Sequence, residues 1–293
     1  YWEFYVLDLL RGDAAWQAII TADPEISPAP EGWEYLAVRI NVKCTYDDSE
    51  AHSIDFSDFF VTGDRNELYR FTTVVEPSPF FSRHELHKGE EAEGWITYLI
   101  GKDEKNLIML LKRYTEAYDE LIMRFVALEE GASVTTPAGL SNIQPNNLGK
   151  EMDDPASFGD TVVTENWEVT VLDMVRGEEA WKRIQEANSA NDPPLQTGEY
   201  YLIRVHIQYI GTTDNDVDRL ELQFGMMDDE DIVYGTAGMI FGLDSALYAD
   251  LYPGGEAEGW VAFQIPRDQS NPRLIFDPFY HFGENKRYLS VEP

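Results

Sequence analysis

A chain of 293 residues with 43% apolar and 13% aromatic residues has the material for two domains, each with its own core. Its 54 acids against 22 lysines and arginines give a net charge of −32, which excludes nucleic acid and anionic lipid as partners, because both need a basic footprint. No apolar run approaches the roughly 18 residues of a membrane helix, and one cysteine, Cys44, excludes an intrachain disulfide.

The chain opens inside a patterned segment, Trp2-Glu3-Phe4-Tyr5-Val6-Leu7, so a targeting region is expected to have been removed ahead of it. After Gly12, residues 13–20 favour a helix whose Trp16 covers the strands. Residues 36–46 alternate strictly. Leu36, Val38, Ile40, Val42, Cys44 and Tyr46 take one face, while Ala37, Arg39, Asn41 and Lys43 are assigned to water. Cys44 therefore reads as a small buried side chain. Ile96, Tyr98 and Ile100 alternate in the same way, and residues 107–123 read as strand, loop and strand. Residues 132–157 are rich in Pro, Gly, Asn, Ser and Thr without apolar periodicity, which is linker chemistry.

Beyond the linker the chain repeats itself at an offset of 165. Residues 2–16 (WEFYVLDLLRGDAAW) and 167–181 (WEVTVLDMVRGEEAW) share nine of 15 positions, and residues 89–95 share six of seven with 254–260. The register holds for nearly 100 residues and then slips by two, so that 124–128 matches 287–291. The expected domains are 1–131 and 158–293. Many short strands at regular spacing make each an all-β sandwich with one short helix after its first long strand. Residues 160–164 form a strand ahead of Trp167 that domain 1 lacks ahead of Trp2.

The run Trp-Glu-x-x-Val-Leu-Asp, then Arg-Gly-x-x-Ala-Trp, then Gly-Glu-Tyr-Tyr-Leu-Ile-Arg-Val and Glu-Gly-Trp resembles the domain-of-unknown-function family numbered 4352, in two tandem copies. That resemblance implies an immunoglobulin-like sandwich and a bacterial lipoprotein or secreted protein, extracellular or held at the cell surface. It carries no catalytic residues. Domain 1 departs from the pattern where Asn191-Asp192-Pro193-Pro194 is replaced by Ile26-Ser27-Pro28-Ala29.

Chemistry-bearing groupings are few. Asp214, Asp216 and Asp218 alternate on a loop and are the candidate ligands of a weak Ca²⁺ site, the one cofactor expected. They do not make an EF-hand, because Arg219 and Gly225 stand where that loop needs Gly and Glu. His84-Glu85-Leu86-His87 is one residue short of the zincin spacing, and there is no Gly-x-Ser-x-Gly elbow or phosphate loop. The expectation is a protein that is not an enzyme. Loop aromatics are the partner-binding candidates: Phe279, Tyr280 and Phe282 in domain 2, Tyr114 and Tyr118 in domain 1. The expected partner is a protein or glycan at the cell surface.

Overall fold

The computed structural model describes residues 2–72, 77–114, 121–133, 136–211, 223–238, 240, 243, 247, 249–278 and 285–292. The chain divides into two compact units, 1–135 and 136–293.

Unit 1 runs β1 (Trp2–Arg11), α1 (Asp13–Ala22), β2 (Trp33–Cys44), β3 (His52–Ile54), β4 (Phe59–Thr62), β5 (Glu67–Leu68), β6 (His84–Leu86), β7 (Glu91–Gly101), β8 (Ile108–Tyr114) and β9 (Leu121–Ala127). One sheet has the order β1-β2-β7 and the other β4-β8-β9, with β3 and β6 paired beside them. Leu36, Val38, Ile40, Val42 and Cys44 of β2 pack with Phe59, Val61, Met109 and Leu111 of the second sheet, all sealed from solvent. Each such large side chain contributes about 1.5–3 kcal/mol by leaving water.

Unit 2 runs β10 (Thr161–Val163), β11 (Trp167–Arg176), α2 (Gly177–Ala187), β12 (Gly198–Tyr209), β13 (Phe224–Met227), β14 (Val233–Tyr234), β15 (Asp250–Leu251), β16 (Glu256–Pro266), β17 (Arg273–Phe276) and β18 (Arg287–Ser290). Its sheets have the orders β10-β11-β12-β16 and β14-β13-β17-β18, and they enclose Val205, Ile207, Phe263, Leu274, Phe276 and Leu289.

Strand pairing follows the 165-residue offset. Trp2 faces Cys44 and Trp167 faces Tyr209, and the register shift at Leu7 recurs at Leu172. Val38 faces Ile96 as Ile203 faces Val261. On the last strand the offset is 163: Leu111 faces Arg124, and Phe276 faces Arg287. The first sheet of unit 2 carries one strand more, since β10 pairs with the outer edge of β11. Among the described residues no strand pairs with the corresponding edge of β1.

The alternation read in residues 36–46 holds for the core face and fails on part of the other. Ala37, assigned to water, is fully buried with Tyr35, Ala15 and Ile19, because α1 lies over that half of the sheet. Trp16 stacks on Tyr35 at 5.8 Å and Trp181 on Tyr200 at 6.1 Å, as expected of tryptophans that cover the sandwich. The loops at 26–29 and 191–194, which differ in sequence, share one hydrogen bond. Tyr35 donates to the Ser27 carbonyl and Tyr200 to the Asp192 carbonyl, both at 3.1 Å. A backbone acceptor is indifferent to the side chain that carries it.

Unit 2 begins at Thr136, ahead of the expected residue 158, because the stretch read as linker is packed. Leu140 is buried with Val163 and Ile210, and Ala156 belongs to the core. The Asn146 carboxamide donates to the Thr161 carbonyl and accepts from the Val163 amide, which supplies β10 with strand-like partners. Gly149 and Ala156 hydrogen-bond to Tyr288 and Ser290 of β18. Gly149 has φ 63°, and a Cβ there would run into the Tyr288 carbonyl oxygen. Only glycine allows both the left-handed turn and that approach.

Candidate functional site

Of the partner-binding candidates, Tyr114 ends β8 opposite Leu121 and is 53% exposed. Tyr118, Phe279, Tyr280 and Phe282, and the proposed Ca²⁺ ligands Asp214, Asp216 and Asp218, lie outside the described residues. His84 sits in β6 against the Phe81 ring, whereas the His87 ring bonds to the Ser49 carbonyl, so the two do not converge. The repeated Gly-x-Glu-Ala-Glu-Gly-Trp motif is architectural. Gly89 and Gly254 turn the chain at φ 84° and 85°, and Gly94 lets the Phe80–Phe81 backbone come close.

Two networks recur in both units. Arg11 bonds Glu34 at 2.7 Å, Glu129 at 3.2 Å and the Glu104 carbonyl at 2.6 Å. Arg176 bonds Glu199 at 3.1 Å, Glu292 at 3.0 Å and the Gln269 carbonyl at 3.0 Å. This arginine, the Arg of the repeated Arg-Gly, ties the first strand to the second and to a glutamate two residues beyond the last. With both ends half-buried, it closes one end of each sandwich.

The second network is a carboxylate station. Glu104 is sealed from solvent; it accepts from the Tyr69 hydroxyl at 2.7 Å and from the Arg65 amide at 2.9 Å. In unit 2 the station is filled from a different chain position. Asp228 accepts from the Tyr234 hydroxyl at 3.0 Å and from the Glu230 amide at 2.9 Å. Tyr234 and Glu230 are Tyr69 and Arg65 displaced by 165, but Asp228 matches Gly63, and Gln269 stands where Glu104 would be. A buried carboxyl beside a tyrosine is the kind of perturbed group that marks an active site. Here its partners are the hairpin it holds, in both units.

Burial raises the Glu104 carboxyl above the usual glutamate range, against the lowering pull of Tyr69 and the Arg65 amide. The folded state then holds a proton that the unfolded state releases first, so stability falls as pH rises through that window. Glu104→Gln removes the titration. Urea midpoints from pH 3 to 7 will show wild type losing ground to the variant as pH rises above about 4.3, the unfolded glutamate value. A constant gap, or one that moves the other way, refutes the assignment.

A third grouping lies in unit 2. Pro145, Lys150, Glu151, Glu165, Asn285, Lys286 and Arg287 line an open pocket of about 480 Å³. Residues 145–151 are set there by the hydrogen bonds of Asn146 and Gly149, Glu165 by the turn between β10 and β11, and Asn285–Arg287 by the start of β18. Arg287 is 2% exposed and donates to the carbonyls of Lys286 at 2.9 Å and Asn146 at 3.5 Å. Burial holds its guanidinium below the usual arginine value. The unit has three lysines. Lys182 pairs with Glu186, whereas Lys150 and Lys286 have no carboxylate partner among the described residues; the Lys286 ammonium lies 5.4 Å from the Tyr288 ring centre. In unit 1, Asn285, Lys286 and Arg287 correspond to Ile122, Met123 and Arg124, and Arg124 is exposed. Sequence reasoning missed this site. The available signal was lysine scarcity, with two of the unit's three placed in a supposed linker and beside a candidate loop.

Residues 156–287 match the family described as Domain of unknown function (DUF4352). No curated protein matches the chain. Among solved structures, a putative lipoprotein of Bacillus subtilis, ycdA, is 10% identical with a TM-score of 0.36, over 45% of this chain and 38% of that one. A secreted protein of Mycobacterium tuberculosis, MPT63, is 14% identical with a TM-score of 0.32, over 47% and 98%. An uncharacterized β-sandwich protein of Clostridium difficile is 13% identical with a TM-score of 0.30, over 51% and 100%. The sandwich in this chain rests on its own strand order.

Proposed function

We propose that the chain is a non-enzymatic, extracytoplasmic binding protein made of two tandem copies of the DUF4352 sandwich, held at or outside the cell surface. Its ligand site is the end of the second unit, bounded by residues 145–151, 165 and 285–287. The observation that carries the reading is a contrast between the copies. The arginine ties recur at matching positions, and the carboxylate station recurs with its donors at matching positions and its acceptor supplied from another, as parts that build a fold must. Two of its lining residues, Asn285 and Lys286, are replaced in unit 1 by Ile122 and Met123, and its lysines serve no ion pair among the described residues. Two lysines of this unit without a carboxylate partner among the described residues, in a chain of net charge −32, are better explained by a ligand than by packing. The binding reading is favoured over a hydrolase because the two carboxyls raised by burial among the described residues already hold structural donors, Glu104 the Tyr69 hydroxyl and the Arg65 amide, and Asp58 the Asp55 amide.

The test is sedimentation of the labelled full chain with isolated cell envelopes of its source. The expected result is saturable retention with no soluble fragment released on prolonged incubation. Release of envelope fragments in proportion to the chain added would make it a hydrolase. A chain that stays in the supernatant at every envelope concentration would end the surface-binding reading.

A further inference from the structure

We infer that the pocket at the end of unit 2 is an anion site, which takes a phosphate or carboxylate group through Lys150, Lys286 and Arg287. This deepens the reading above and rests on it for its biological meaning. Three of the ten lysines and arginines in residues 136–293 line this one cavity. They come from two segments far apart in the chain, brought together by hydrogen bonds that Gly149 and Asn146 make to β18 and β10. Arg287 is held in the wall by two carbonyls, and the lysines stand nearer the opening, Lys150 exposed and Lys286 half-buried. Fixed guanidinium donors in a sheltered wall, with mobile ammonium groups at the mouth, suit an oxyanion with several acceptor oxygens. The Asn285 carboxamide adds a neutral donor.

The acids of the rest of the chain do not prevent this. At physiological ionic strength fields decay over roughly 8 Å, so the groups lining the pocket set its sign. Two of those groups, Glu151 and Glu165, are carboxylates. They lower the affinity for an anion, and their removal gives a variant whose effect runs opposite to that of the lysines.

The experiment is calorimetric titration of the full chain with inorganic phosphate, repeated with acetate. Saturable binding to wild type is expected. Lys150→Gln weakens it by about tenfold, the effect of removing one charge-assisted hydrogen bond, and adding Lys286→Gln weakens it further. Glu165→Gln tightens it severalfold, and Lys182→Gln, away from the pocket, leaves it unchanged. Lys150→Gln alone, at an exposed position, keeps the test decisive if the double variant folds poorly. The proposal is overturned if wild type takes up neither anion, if Lys182→Gln weakens binding as much as the pocket variants do, or if Glu165→Gln weakens it. The two readings fail separately. Loss of phosphate binding with envelope retention intact removes the anion site only. Phosphate binding without envelope retention removes the surface-binding reading only.

Discussion

Gly94→Ala destabilises unit 1 by about 3–5 kcal/mol, which lowers its calorimetric transition by roughly 10 °C. A Cβ at this position would meet the Phe81 backbone nitrogen and come within 2.6 Å and 2.7 Å of the Phe80 carbonyl carbon and oxygen. These atoms are backbone and cannot swing aside as a side chain does. Relief requires the 79–81 segment to move off β7. That motion breaks the bond from the Phe81 amide to the Trp95 carbonyl and the bond from the Trp95 amide to the Pro79 carbonyl, both 2.8 Å. It also withdraws Phe81, fully buried against Phe59, from the core. The control is Gly89→Ala in the same motif. Gly89 has φ 84° with open space around its missing Cβ, so only the left-handed backbone is penalised, by about 1 kcal/mol. Equal losses in the two variants would show that close approach is not what Gly94 provides.

Asp228→Gly lowers the stability of unit 2 by about 2–4 kcal/mol, because three donors lose their acceptor at a buried site. They are the Tyr234 hydroxyl and the amides of Glu230 and Ile232, at 2.9–3.0 Å. Adding Gln269→Glu then restores at least about 1 kcal/mol, since residue 269 stands where Glu104 reaches the same station in unit 1. In wild type the second change alone destabilises, because it sets a new carboxylate close to Asp228. The cycle is read by urea unfolding of the four proteins. Additive losses, with no recovery in the double variant, would show that the two stations are not interchangeable.

Much of the fold is legible in the sequence. The offset of 165 gave the strand register, because side chains that fill one sandwich fill its copy in the same order. Period-two runs marked the core faces, and the run at residues 13–20 marked α1. The burial of Ala37 was hidden, since a strand cannot announce that a helix will cover half of its polar face. The carboxylate station was hidden for a different reason. Its donors keep their positions while its acceptor moves by 41 residues along the chain, from Gly63 to Glu104, and alignment scores that as two unrelated changes. The pocket unites residues more than 130 positions apart, one group of them in a stretch whose composition reads as loose chain. Asn146 shows why composition misled: a side-chain amide can stand in for a strand's hydrogen bonds.

The segment from Gly149 to Ala156 runs beside β18, with Ala156 and Leu289 bridged in the parallel sense. Its three hydrogen bonds, from Tyr288 to Gly149, Ala156 to Tyr288 and Ser290 to Ala156, span 2.7–2.9 Å and lie across the chain direction. Tension that draws residue 136 one way and residue 292 the other therefore loads these bonds in shear, all at once, instead of peeling them open singly. Pulled by an atomic force cantilever at those two points, unit 2 will hold until the whole set ruptures together. The same rupture draws the 145–151 wall of the pocket away from the Asn285–Arg287 wall, so mechanical strain and the opening of the pocket are one event.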